Sequence, residues 1–382
     1  MLPAIFLTLV PQVHYAPALK ETLPNGAQAY VERFAAGTDF ALSLFVDRRG
    51  VATSSEQHGW LHLLEHIAAK GPEKSLDAQL EIRGLFLRAE TLRDGIRYEI
   101  VGPGSELSTA LALAPRLLAP VVVDADELSR ETAIMRHELA ELDSGSMLSN
   151  AAWTSAFGEQ GRDPHGSLDA MAVATPEDLE SIQAELAVGV RLSVAVIGAI
   201  DVERTMEQLR NWLGEYPPGD TIPPDATSET ATVDGFSTSI EGGAVRLVLV
   251  DGFPDRRTLA TVGAAMAISL DISGSMPRYT PTVGRSLVSV SNANAQSLEA
   301  LDRYSTNKIK ELARDARRLI DLQLASWLRS PSKKANIYSV LHRRSASFDL
   351  ERARDTVKVL TPEELIAAVR SFQSTAGQGV PQ

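Results

Sequence analysis

Apolar and polar positions along the chain divide it into short alternating runs and longer stretches at helical spacing. After the turn signal Thr22-Leu-Pro-Asn-Gly26, residues Ala27 to Phe34 read as a short strand. Phe40 to Arg48 follows as a second strand, an apolar run that ends in charge. Between Gly59 and Gly71, Trp60, Leu63, Leu64 and Ile67 recur at helical spacing, which predicts an amphipathic helix. Ser75 to Arg83 reads as another helix, with Ser75 as its N-cap and Leu76, Leu80 and Ile82 as apolar anchors. Leu85 to Thr91 and Arg97 to Val101 read as strands around the turn Asp94-Gly95. Two long helices come next, Glu106 to Leu118 and Asp126 to Leu142. Pro176 to Leu186 is helical, Val190 to Ile197 is a strand, and Glu203 to Leu213 is a helix stopped by Tyr216-Pro-Pro-Gly-Asp220.

Between Pro217 and Asp234 the chain carries four prolines among many Ser, Thr and Asp residues, the composition of an interdomain linker. Beyond it, Ala244 to Val250 reads as a strand and Arg257 to Ile268 as a helix. The remainder is mostly helical, over Ala295 to Arg329, Ala335 to Arg343 and Pro362 to Ser371. Strands and helices mixed within each half predict an α+β architecture rather than alternating βαβ units. The expected organisation is a possible leader over 1–18, an N-terminal domain over 19–220, a linker over 221–234 and a shortened C-terminal domain over 235–382.

Length agrees with this division, since 382 residues exceed one ordinary core. A net charge of −12 argues against nucleic acid as a partner. The charge is uneven: Arg303 to Lys358 holds 14 Lys and Arg against 6 Asp and Glu, either as solvated helices or as a complement to a more acidic first half. No apolar run is long enough for an integral membrane segment. Leu2 to Val10 is a short apolar run followed by the small residues Ala16-Pro17-Ala18, which is either a leader or an N-terminal segment docked or left loose. A cleaved leader places the protein in the periplasm or outside the cell; otherwise it is cytoplasmic. The sequence contains no cysteine, so any metal must be held by His, Asp or Glu.

The helix between Gly59 and Gly71 also carries His62, Glu65 and His66. Two histidines four residues apart lie on one helix face, and Glu65 stands beside it. That spacing suits two ligands of a zinc ion, with a carboxylate placed to take a proton from water. It is also the H-x-x-E-H order of inverted zinc motifs. The alternative is a polar, solvated helix face. A third ligand is needed, and Glu131 and Glu138 are available, seven residues apart on one side of a helix with Leu128, Met135, Leu139 and Leu142. Carboxylates in an apolar stripe require a partner, a metal with its histidine or else an arginine in the core. His137 points away and reads as a surface residue.

The segment G-W-L-H-L-L-E-H-I-A-A-K-G resembles the signature of the pitrilysin/insulinase zinc metallopeptidases, a family that includes the mitochondrial processing peptidases. Leu23-Pro-Asn-Gly26 and E-T-A-I-M-R-H-E are similar to further segments of that family, and the likeness runs over Leu19 to Asp220. The resemblance implies His62, His66 and Glu138 as ligands of one zinc ion per chain, Glu65 as general base and Glu131 as a carboxylate supporting the ligands. It implies two similar mixed α/β-sandwich halves, each a sheet covered by helices, that enclose a chamber. It implies a metalloendopeptidase acting on short or unfolded peptides, or else a non-proteolytic or partner-dependent subunit. Three departures stand out. Arg88-Ala89-Glu90-Thr91 replaces the family's Asn-Ala before a Thr, and Arg285 is the match for an arginine whose companion tyrosine is missing from Ser286-Leu-Val-Ser289. The closing strand of a full second half is also missing, so a homodimer or a heterodimer with a second peptidase-like chain is expected.

Overall fold

The computed structural model describes residues 18–373 apart from 122, 223–235, 241, 284–285 and 346. All but the last residue of the expected leader, nearly all of the expected linker and Arg285 therefore lie outside the described residues. The first half is built on a six-stranded sheet of order β1-β2-β6-β3-β5-β4. Its strands are β1 (Leu19–Thr22), β2 (Gln28–Arg33), β3 (Asp39–Asp47), β4 (Phe86–Thr91), β5 (Gly95–Pro103) and β6 (Leu192–Gly198). Only β2 and β6 run parallel; the other neighbours are antiparallel. The helices of this half are α1 (Trp60–Lys70), α2 (Leu76–Glu81), α3 (Leu107–Leu113), α4 (Ala125–Ala140), α5 (Ser144–Phe157), α6 (Leu168–Met171), α7 (Pro176–Leu186) and α8 (Val202–Leu213).

The second half carries a four-stranded antiparallel sheet of order β7-β8-β10-β9, from β7 (Phe236–Ile240), β8 (Gly243–Val250), β9 (Ser275–Tyr279) and β10 (Ser286–Asn292). Its helices are α9 (Arg256–Asp271), α10 (Ala295–Glu299), α11 (Thr306–Leu328), α12 (Pro331–Arg344), α13 (Leu350–Lys358) and α14 (Pro362–Arg370). The architecture is the expected one, sheets covered by helices. Among the described residues no helix is long and apolar enough to cross a membrane.

The halves exchange helices. Along β3, Phe40, Leu42, Leu44 and Val46 face the core that holds α1, whereas Ala41 and Phe45 face the other way, into a core shared with Ile337, Tyr338 and Leu341 of α12. Ser43 bonds Ser339 at 2.9 Å across the same contact. Burial on both faces explains why β3 is an apolar run rather than an alternation. Lys334 meets Glu32 at 2.6 Å, and Ser332 and Asn336 donate to buried Glu99 at 2.5 and 3.0 Å. In return α5, from the first half, packs Leu148, Ala152, Trp153 and Phe157 on Val245, Leu247 and Leu287 of the second sheet.

Several elements differ from the sequence expectation. The segment 106–118 is not one helix: Pro115 lacks an N–H donor, and 114–118 tightens into a 3-10 turn. The stretch 295–329 is broken before α11, where the Ser305 side chain accepts from Lys308 N–H as a helix cap. Ile82 is 85% exposed because α2 ends at Glu81 and the chain turns away through Gly84. Ser75 occupies the N-cap position of α2 without a side-chain cap bond. Among elements not expected, α5, α13, β1, β7, β9 and β10 are present.

Candidate metal centre

Helix α1 packs through Trp60, Leu61, Leu63, Leu64 and Ile67 into the core above β3 and β5. The three polar residues of its motif are inside as well: His62 and Glu65 are buried and His66 nearly so. The stripe is therefore not a solvated face. Helix α4 lies beside α1, anchored by the buried Met135 and Leu128. Its N-terminus is capped by Asp124, whose side chain accepts from Glu127 N–H at 2.8 Å.

This packing brings His62, His66 and Glu138 together. Glu138 Oε2 lies 3.5 Å from Nε2 of His62 and 3.5 Å from Nε2 of His66, and the three potential ligand atoms all fall within 4.8 Å of one another. Ligand atoms about 2.05 Å from a tetrahedral zinc stand about 3.3 Å apart, so two imidazoles and a carboxylate fit zinc in donor type, and the two Glu138 contacts are close to that separation. Glu138 is on the last turn of α4, where the helix leaves the core, and its side chain is 44% exposed. Of the two glutamates only Glu131 is set in the apolar stripe; Glu138 stands at the open side.

Each histidine is held through its other nitrogen. His66 Nδ1 is 3.2 Å from Glu131 Oε2, and His62 Nδ1 is 3.2 Å from the His165 carbonyl oxygen. Such contacts fix the tautomer that leaves Nε2 free to ligate. Glu131 is buried, and its second oxygen pairs with Lys70 in the last turn of α1. Lys74 pairs with Glu127 one turn earlier on α4, at 2.6 Å. Burial, with a smaller effect of His66, pushes the His62 ring down to about 4, so it is a neutral donor at pH 7. Burial would lower His66 too, but the Glu131 hydrogen bond and the charges of Glu65, Glu138 and Glu131 outweigh it and raise the ring. The bond from His66, aided by Lys70, holds Glu131 below the usual carboxylate range.

Glu65 Oε2 accepts from the Thr91 hydroxyl at 2.7 Å. Burial raises its carboxyl against the opposing effect of that bond. Thr91 ends β4, an edge strand in which Phe86, Arg88 and Glu90 face outward while Leu87, Ala89 and Thr91 face inward. His137 is exposed and pairs with Glu141, as expected of a surface residue.

Sequence reasoning missed one wall of the site. Residues 163–167 run along the first turn of α1: His58 Nε2 is 2.7 Å from the Asp163 carbonyl, and Ser167 N–H donates to His58 O at 3.2 Å. The Asp163-Pro-His-Gly166 stretch is a turn signal, and its histidine was the available clue.

No family model matches the sequence. The chain is 24% identical over 210 residues to the mitochondrial-processing peptidase subunit beta of Saccharomyces cerevisiae, covering 53% of this chain and 46% of that protein. A protease from Helicobacter pylori superposes with a TM-score of 0.75 at 16% identity, covering 94% of this chain and 96% of the other. A peptidase M16 inactive domain from Pseudomonas fluorescens superposes at 0.69 and 14% identity, over 94% and 95% of the two chains. The fold is that of the M16-like peptidases. The M16 likeness extends through the second half, beyond the stretch over which the sequence resemblance runs. The chain spans about half the length of the curated relatives it matches.

Proposed function

We propose that the chain is a zinc-dependent endopeptidase of the M16 type that cleaves short or unfolded peptides, with His62, His66 and Glu138 as ligands of one zinc ion and Glu65 as general base. The observation that carries this reading is the approach of two imidazole Nε2 atoms to one carboxylate oxygen, with the buried Glu65 on the same helix. Zinc bound there supplies Lewis acidity, bringing the pKa of water towards neutrality and polarising a carbonyl. Glu65 accepts the water's proton on the oxygen that Thr91 leaves free and passes it to the departing amine. Glu131 and the His165 carbonyl keep both imidazoles oriented while this happens. The outer edge of β4 offers backbone groups to an extended peptide, a mode of binding that needs no particular side chain at Arg88.

The reading includes a division into domains over 19–220 and 235–382, and a second peptidase-like chain, identical or not, that completes the chamber. In support of the latter, the yeast relative is itself a subunit. A non-proteolytic subunit is the second reading, favoured by the likeness to an M16 inactive domain. The complete set of His62, Glu65, His66, Glu131 and Glu138 speaks for the first. Metal content and cleavage of a mixed peptide library, measured on wild type and Glu65→Gln, separate the two. The expected result is about one zinc per chain in both proteins and a loss of cleavage of about 10²- to 10⁴-fold in the variant. Zinc without cleavage in either protein favours a missing partner; no zinc uptake overturns the metallopeptidase reading.

A further inference from the structure

We propose that the outward face of β4 reads sequence in the substrate, selecting peptides with an acidic residue against Arg88 and an apolar residue two positions away against Phe86. This rests on the reading above, in which an extended peptide adds to the edge of β4. Thr91, at one end of that strand, bonds Glu65, so a peptide paired there runs beside the candidate metal centre. Backbone pairing leaves the peptide's sequence free, whereas side chains that alternate along the strands supply specificity. In an added strand every second residue stands on the face that carries Phe86, Arg88 and Glu90.

In register, Phe86, Arg88 and Glu90 stand opposite Val101, Glu99 and Arg97 of β5. Helix α12 covers this side of the sheet as far as β5, where Ser332 and Asn336 donate to Glu99. One strand further out the face is bare: Phe86 is 59% exposed and the Arg88 side chain 74%. Glu90 is bonded to Arg97, so its charge is answered within the sheet. Arg88 is different. It approaches Glu99 only to 3.9 Å and makes no hydrogen bond among the described residues. A guanidinium whose donors are uncommitted can give two parallel bonds to a carboxylate. The Phe86 ring beside it offers apolar contact area to a neighbouring side chain. Charges on an edge strand also guard against stray pairing, which accounts for Arg88 and Glu90. It does not account for Phe86, because an exposed aromatic on the same edge works against such a guard.

The experiment uses unfolded peptides that differ only at two positions, two residues apart, in both orders along the peptide. Cleavage is measured with zinc-loaded wild type, Arg88→Glu and Phe86→Ala, and binding with the same three chains in the Glu65→Gln background. Wild type should favour Asp or Glu over Lys at one position by about 5- to 10-fold, and Arg88→Glu should reverse the order. Phe86→Ala should cost about 3- to 10-fold on peptides that are apolar at the other position, and less on the rest. Both side chains are exposed, so neither substitution should disturb the fold. Cleavage without a charge preference, or with preferences that Arg88→Glu and Phe86→Ala leave in place, overturns this inference alone. Selective binding that follows Arg88, without cleavage by any of the zinc-loaded chains, keeps the inference and counts against the peptidase reading. Peptides left uncut and bound without preference, or not bound at all, overturn both.

Discussion

Each oxygen of Glu131 has its own partner: Oε2 meets His66 Nδ1 and Oε1 meets Lys70. Glu131→Gln puts an amide where two donors converge, so one of them must lose its acceptor. The expected outcome is a zinc affinity lower by about 10- to 100-fold with the fold retained, measured by competition with a chelator. The motif of His62, Glu65 and His66 was legible in the sequence because helical spacing converts adjacency in sequence into a shared face. Glu131 and Glu138 were legible for the same reason, seven residues being two helical turns. Neither the Thr91 bond to Glu65 nor the placement of His165 could be read. These contacts join residues 26 and 103 positions apart, through a strand end and a turn whose composition is common to many loops.

Where α1 begins, two glycines stand back to back. Gly59 has φ +103°, Gly166 has φ +88°, and a Cβ on Gly166 would lie 2.2 Å from Gly59 Cα and 2.7 Å from its nitrogen. The close approach lets the 163–167 turn set its His165 carbonyl against His62. Gly166→Ala therefore adds a backbone collision to an unfavourable dihedral. It should cost more than the roughly 1–2 kcal/mol of the dihedral alone and weaken zinc binding as the carbonyl moves away. Gly84→Ala is the control for the dihedral, since φ is +69° but nothing lies within 4 Å of the added atom. Urea denaturation should show a clearly larger loss for Gly166→Ala than for Gly84→Ala. At this scale, α1, α7, α8 and α14 were legible from caps and apolar spacing. The break before α11 was not, because a serine cap within a long helical pattern is easily read through.

Between the halves, Asp94 at the β4–β5 turn accepts from Val283 N–H at 2.5 Å, and its other oxygen has no hydrogen-bond partner among the described residues. Burial pushes its carboxyl up to about 6, from an ordinary 3.8. The folded protein therefore holds this proton more tightly than the unfolded chain, and its contribution to stability falls as pH rises from about 4 to 6. The change is at most about 3 kcal/mol. Asp94→Asn removes the titration, so the stability of the variant relative to wild type should improve by that order between pH 4 and 6.5. Denaturation curves at both pH values check it; a constant difference would mean that Asp94 does not titrate there. The α+β class could be read from the mixture of elements. The exchange of α5 and α12 could not, because which helix covers which sheet is decided by pairings some 300 residues apart, such as Ser43 with Ser339. The apolar run of β3, interrupted at Ser43, was its one local trace.

The cover supplied by α12 has a consequence during synthesis. The last strand of the first sheet, β6, ends at Gly198, whereas α12 is complete only at Arg344. A ribosome adding about 5–20 residues per second needs on the order of ten seconds to make that difference. Throughout that interval Tyr30, Phe45 and Ile197 have no lid from their own chain, although α1, with His62 and His66, has long since been made. The nascent protein thus passes through a stage with its candidate ligands made and a sheet face open to water. That stage is where chaperones, or a neighbouring chain in the act of translation, would find it.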